Sequence, residues 1–276
     1  MRIMISADME GATGVTWTGD VVPGTEQWQR FRRLFMGDVN ACVEGLVAGG
    51  ASTVLVNEAH SSQRNLLLED LHPAARMLTG RHKPLSMMQG VETGVEGVVF
   101  LGYHTGAGSP GVLAHTYLEN SITGVWLDGL PASEGRLNAA LAAEYGVPVL
   151  MVTGDDLTCA DASAGYAPDA EVVAVKECVS RYAAVCLPPA VAFSQITEAA
   201  TAAMARAGLR EGAVSAHRIE VEFDATHLAD AASVVPTVSL VGQRRVGFDA
   251  ASMTDAMKAF KVVTHVAAGA IEGIYG

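Results

Sequence analysis

Hydrophobic positions in this chain recur in two periods. Across residues 27–48, Phe31, Leu34, Phe35, Val39, Val43 and Leu46 fall at three- and four-residue intervals, which puts them on one side of a helix. Gly49-Gly50 stops that helix. Residues 133–145 are also helical, stopped by Gly146 and Pro148, and 253–268 predict a final amphipathic helix. Between these lie short apolar runs of strand length at 2–7, 53–57, 97–101 and 147–153. Such runs, alternating with helices, predict an α/β fold with a mostly parallel sheet flanked by helices.

Two stretches break that rhythm. Residues 112–119 and 125–128 are strand-like, and Asp128-Gly129 is a strong turn signal, so a hairpin beside the sheet is expected. After an alanine-rich helix at 188–207, residues 216–223 alternate, with Ile219, Val221 and Phe223 on one face. That period belongs to an antiparallel strand, with 246–248 as a partner. The change in pattern sets an expected boundary near 190. Residues 1–190 are expected to form a metal-binding catalytic α/β domain and 191–276 a smaller C-terminal α+β domain.

Composition narrows the functional classes. Half of the 276 residues are hydrophobic and 17% are charged, so a large core is available and disorder is not expected. Net charge is −12, and the one dense basic stretch, Arg30, Arg32 and Arg33, lies within a helix. No nucleic-acid partner is expected. No apolar run is long enough to cross a membrane. The N-terminal run is broken by Asp8 and Glu10, unlike a signal peptide. Cys42, Cys159, Cys178 and Cys186 form no C-x-x-C pair and suit a reducing compartment, so a cytoplasmic location is expected.

The chemistry-bearing residues gather at strand ends. The first strand ends in Asp8-Met9-Glu10, the second runs into Glu58-Ala59-His60, and the third into Gly102-Tyr103-His104. Side chains two apart on a strand point the same way. Open α/β sheets bind ligands beyond the carboxyl ends of their strands. Singly, the carboxylates could cap a helix, and each histidine could be an ordinary loop residue. Their shared placement favours a metal instead, since zinc takes imidazole nitrogen and carboxylate oxygen. Glu134, at a helix start, adds a third carboxylate. Three carboxylates and a bridging hydroxide would balance two zinc ions, as in two-metal hydrolases.

His115 lies eleven residues beyond His104 and is a candidate proton-transfer group or transition-state stabiliser. His72, His82, His217, His227 and His265 fall outside the strand-end pattern and are expected to be structural or solvated. Residues 106–111 spell G-x-G-x-x-G, but a β-like stretch follows where a dinucleotide site needs a helix. No G-x-S-x-G elbow supports a serine hydrolase.

Seven blocks together resemble the DppA-type D-aminopeptidases. They are Ser6-Ala7-Asp8-Met9-Glu10-Gly11, Val56-Asn57-Glu58-Ala59-His60-Ser61, Phe100-Leu101-Gly102-Tyr103-His104 and Pro110-Gly111-Val112-Leu113-Ala114-His115, then Glu134-Gly135-Arg136-Leu137-Asn138-Ala139, 148–156, and Val175-Lys176 with Ser180-Arg181. The resemblance implies a dinuclear zinc aminopeptidase, two Zn²⁺ per subunit, that removes N-terminal residues, typically D-amino acids, from short peptides. It implies metal ligation by Asp8, Glu10, His60, His104 and Glu134, a catalytic His115, and a ring-shaped homodecamer. The chain departs from the pattern at Glu58, where Asp is expected, and at Ser133, where Gly is common. A mean hydropathy of +0.26 also suits an oligomer that covers apolar surface. The mechanism expected is metal-assisted amide hydrolysis. The rival readings are another dinuclear metallohydrolase, an amidase or a phosphoesterase, and a metal-dependent peptide-binding protein without turnover. A phosphoesterase would want Arg or Lys at the site, for which Lys176 and Arg181 are the candidates.

Overall fold

The computed structural model describes residues 1–208, 212 and 215–273. The first half contains β1 (Arg2–Ala7), α1 (Thr18–Val21), α2 (Glu26–Ala48), β2 (Thr53–Glu58), β3 (Ala75–Leu78), β4 (Gly97–Leu101), β5 (Ile122–Leu127) and β6 (Leu130–Pro131). There follow α3 (Glu134–Glu144), β7 (Val149–Asp155), α4 (Asp156–Asp161), β8 (Glu171–Ser180), β9 (Ala183–Cys186) and α5 (Pro189–Ala203). The chain then forms β10 (His217–Phe223), α6 (Thr226–Ala232), β11 (Ser239–Leu240), β12 (Arg245–Ala250) and α7 (Met253–Ala268).

Seven strands form one sheet in the order β3-β2-β1-β4-β7-β8-β9. Every neighbouring pair is parallel except β8 and β9. From β1 the chain steps outward through β2 and β3, then returns to place β4 on the other side of β1. The order reverses between β1 and β4, and such a switch point opens a crevice at the carboxyl ends of the two strands.

Side-chain alternation assigns the two faces. Ile3, Ile5 and Ala7 of β1 and Val99 and Leu101 of β4 pack with Phe35, Val39, Val43 and Leu46 of α2 and with Ala192 and Ile196 of α5. Met4, Val98 and Phe100 point the other way, into a core shared with α3, α6, α7 and a second, antiparallel sheet. Buried on both faces, β1 and β4 read as continuous apolar runs.

The second sheet has the order β11-β12-β10-β5-β6. Ile219, Val221 and Phe223 of β10 are fully buried on one face, as their alternation predicts. Residues 122–131 join this sheet from the first part of the chain, and α5, beyond residue 188, packs on α2 beneath the first sheet. Residues 112–119 are not a strand. They form an irregular loop in which Leu113, Tyr117 and Glu119 all have positive φ. Their apolar side chains are buried by a loop against the body, which explains the β-like reading. The G-x-G-x-x-G residues lie in the same β4–β5 connection, and turns rather than a helix follow them directly.

Candidate active site

The crevice between β1 and β4 is built by close backbone approach. Asp8 N–H donates to the Leu101 carbonyl at 2.8 Å, and Gly11 N–H to that of Gly102 at 2.8 Å. A β-carbon on Gly102, whose φ is +71°, would lie 2.1 Å from the Asp8 carbonyl oxygen, and one on Gly11 would lie 1.9 Å from that of Tyr103. Glycine at both positions lets the two ends meet.

Around that crossing Asp8, Glu10, His60, His104 and Glu134 converge, all buried. His60 Nδ1 lies 2.9 Å from Glu10 Oε2 and 3.5 Å from Asp8 Oδ1. His104 Nε2 lies 3.4 Å from Asp8 Oδ2 and 3.7 Å from Glu134 Oε2. Glu134 opens α3, where Ser133 Oγ caps the helix by accepting from Arg136 N–H. Its Oε1 accepts from Tyr117 N–H at 2.7 Å, which leaves Oε2 directed at the cluster. His115 joins from the β4–β5 loop, with Nε2 3.8 Å from Glu10 Oε1 and its ring stacked on His104 at 4.3 Å.

Each imidazole is oriented by a main-chain carbonyl. His60 Nε2 pairs with Val21 O, His104 Nδ1 with Thr105 O and His115 Nδ1 with Leu113 O, at 2.8–2.9 Å. If the N–H sits on each carbonyl-facing nitrogen, the other ring nitrogen is left as a lone pair aimed at the carboxylates. Metal-binding histidines are held in this way. Three overlapping triads have ligand atoms near enough to share an ion: Asp8, Glu10 and His60; Asp8, His104 and Glu134; and Glu10, His104 and His115.

The donor set also fits a cation on energetic grounds. Asp8 Oδ2 and His104 Nε2 are buried and have no hydrogen-bond partner. Buried polar atoms without partners are costly, and an ion between the two would satisfy both. Charge crowding points the same way. Burial pushes the Glu134 carboxyl up to about 7 against the pull of His104. Burial lowers His104, but Asp8, Glu134 and Glu10 outweigh it and raise the imidazole to about 10. Burial favours a neutral Glu10, yet His60, His115 and His104 hold its carboxyl well below the usual range. His115 differs: burial and the neighbouring His104 drive it down to about 4.

Lys176 and Arg181 have separate places. Lys176 is fully buried and donates to the carbonyl oxygens of Glu10, Ala12 and Val15 at 2.7, 3.0 and 2.6 Å. Its three donors are thus spent on the turn after β1. Arg181 lines the cavity and donates to Asn120 Oδ1 at 2.8 Å. Glu58, the departure in the second block, turns away from the cluster and accepts from Asn65 and Leu66 N–H.

The cluster forms one wall of a cavity of about 580 Å³. His82 and His265, which fall outside the strand-end pattern, also line it, with their rings 5.5 Å apart. Gln63, Tyr117, Lys83 and Lys261 line it too, and no spacing in the sequence announces them. His72, His217 and His227 lie elsewhere.

Comparison with known proteins follows the same line. A family model described as D-aminopeptidase matches residues 1–262. A curated D-aminopeptidase of Bacillus subtilis (strain 168) is 34% identical over 270 residues, spanning 97% of this chain and 98% of the relative. Among solved structures, a Zn-dependent D-aminopeptidase from Bacillus subtilis, DppA, described as a self-compartmentalizing protease, superposes with a TM-score of 0.92. It is 33% identical, over 97% of this chain and 98% of that one.

Proposed function

The chain belongs to the D-aminopeptidase family, and from that premise we propose that it is a dinuclear zinc aminopeptidase acting on short peptides with an N-terminal D-residue. The observation that carries the proposal is the convergence of Asp8, Glu10, His60, His104 and Glu134, with Asp8 Oδ2 and His104 Nε2 left without partners. These five residues would hold two zinc ions.

When bound, zinc supplies Lewis acidity toward a carbonyl and a nucleophile at neutral pH. The remaining work falls to the chain. The free α-amine of a peptide would dock at this cluster, which accounts for exopeptidase rather than endopeptidase action. As the scissile C–N bond breaks, the leaving nitrogen takes up a proton. His115 is placed to move it, because its Nδ1 faces the Leu113 carbonyl and its Nε2 faces the cluster. Burial keeps its imidazole neutral near pH 7, hence able to take the proton that the attacking water gives up and pass it to that nitrogen. A second reading, in which His115 is itself a ligand, is favoured by its triad with Glu10 and His104. The phosphoesterase alternative is disfavoured by the family match, although Arg181 lines the cavity; Lys176, the other candidate cation, is occupied by carbonyls.

A closed homo-oligomer, a decamer, is part of the proposal. Val179 and Val185 on the β8–β9 hairpin are 68% and 62% exposed, and Trp17 packs on Tyr182 beside them. Apolar surface of this kind on an edge hairpin suits burial by a second subunit. The test of the activity is turnover of paired D- and L-aminoacyl peptides by zinc-supplied protein. Hydrolysis of D-Ala peptides with a clear preference over L-Ala is expected; equal or greater efficiency on L-Ala peptides contradicts the stereochemical assignment.

A further inference from the structure

The cavity joins the cluster of Asp8, Glu10, His60, His104 and Glu134 to a basic edge. That edge is built from residues 81–83 and the final helix α7. Lys261 Nζ, on α7, donates to the Lys83 carbonyl at 2.5 Å, and His265 Nδ1 lies 2.7 Å from the Lys261 carbonyl. Lys83 Nζ donates to the Glu58 carbonyl, two residues before His60, and to Asn57 Oδ1. Arg81 reaches the Ser61 carbonyl, one residue after His60, at 3.5 Å. The basic edge therefore abuts the His60 side of the carboxylate cluster.

These cations are not explained by ion pairs. In a chain of net charge −12, no carboxylate among the described residues comes within ion-pairing distance of Arg81, Lys83 or Lys261. Each keeps donors to spare: an ammonium has three and a guanidinium five, and the bonds above use one or two. In the same cavity, Gln63 Oε1 and the Tyr117 hydroxyl are buried and have no partner. Among the described residues, six of the seven non-glycine residues with positive φ line this cavity: Ser61, Gln63, Ser86, Leu113, Tyr117 and Glu119. Unfavourable backbone of this kind persists where a site needs its side chains placed.

We propose that Arg81, Lys83 and Lys261 form a subsite for the C-terminal carboxylate of a short peptide whose N-terminus docks at the metal-ligand cluster. Gln63 and Tyr117 offer an acceptor and a hydroxyl to the peptide groups between. A short peptide with a free amine and a free acid reaches the cluster and the basic edge at once, whereas a longer chain or a blocked carboxyl matches only one. The cavity is within the size range that encloses a small ligand. This subsite rests on the aminopeptidase reading and adds to it a selection for short peptides with a free acid.

The experiment compares kcat/KM for D-Ala-D-Ala and for its C-terminal amide, using zinc-supplied protein. The free acid is expected to be favoured by about 10- to 100-fold, the scale of one or two hydrogen bonds to a charged group. In Arg81→Met and Lys261→Met that ratio falls toward one, mainly through KM of the acid. Equal efficiency on acid and amide in the wild-type protein overturns the subsite while leaving the aminopeptidase reading intact, and so does a ratio that neither substitution changes. Hydrolysis of neither peptide overturns the aminopeptidase reading and the subsite with it.

Discussion

Lys176 Nζ lies 2.7 Å from the carbonyl oxygen of Glu10, a main-chain bond that ties β8 to the turn holding two of the site carboxylates. The same ammonium serves Ala12 and Val15, so one buried side chain fixes the course of residues 10–15. Lys176→Met keeps the length of the side chain and removes its donors. Leaving buried carbonyls unsatisfied costs about 1–3 kcal/mol each. The substitution is expected to lower Tm by at least ~5 °C and to weaken zinc retention against a chelator. A variant that melts and holds metal like the wild-type protein would show that the turn is fixed by other contacts.

His115 separates the two readings of the site. If it moves a proton, His115→Ala retains zinc while kcat falls by about 10²-fold or more. If it is a ligand, metal content falls with activity. Elemental analysis beside kinetics decides, and full activity in the variant would remove His115 from the mechanism.

Asp38 carries a pH dependence of stability apart from the metal cluster. On α2, it accepts from Thr13 N–H at 2.8 Å and Thr13 Oγ at 2.6 Å. Burial nevertheless raises its carboxyl from 3.8 to about 6. A carboxyl with a raised folded pKa binds protons on folding between those two values, so its contribution to stability declines as pH rises through that window. Asp38→Asn does not titrate. Its stability relative to the wild-type protein should improve between pH 4 and pH 7, by up to about 3 kcal/mol. A difference that stays constant with pH would contradict the assignment.

The parts legible in the sequence are those whose signal is local. β1, β2, β4 and β7 are buried on both faces and read as apolar runs, and Asp8, Glu10, His60 and His104 follow three of those runs directly. β8 was not legible because it is half-exposed and carries Glu171, Lys176 and Glu177, which hide its period. β3 has four residues and no buried one. The loop at 112–119 misled for the opposite reason, since its apolar residues are buried without forming a ladder. The basic edge of the cavity joins Lys83 to Lys261 across 178 positions, and only the packing of α7 brings them together. His82 and His265 enter the cavity by the same contact.

Zinc stoichiometry tests the central claim most directly. Protein purified without chelator, supplied with zinc and freed of excess should contain two zinc ions per chain, and Asp8→Ala and His104→Ala should each lose bound metal and nearly all peptidase activity. Wild-type protein that holds no zinc under these conditions, or variants that keep the full complement, would contradict the account.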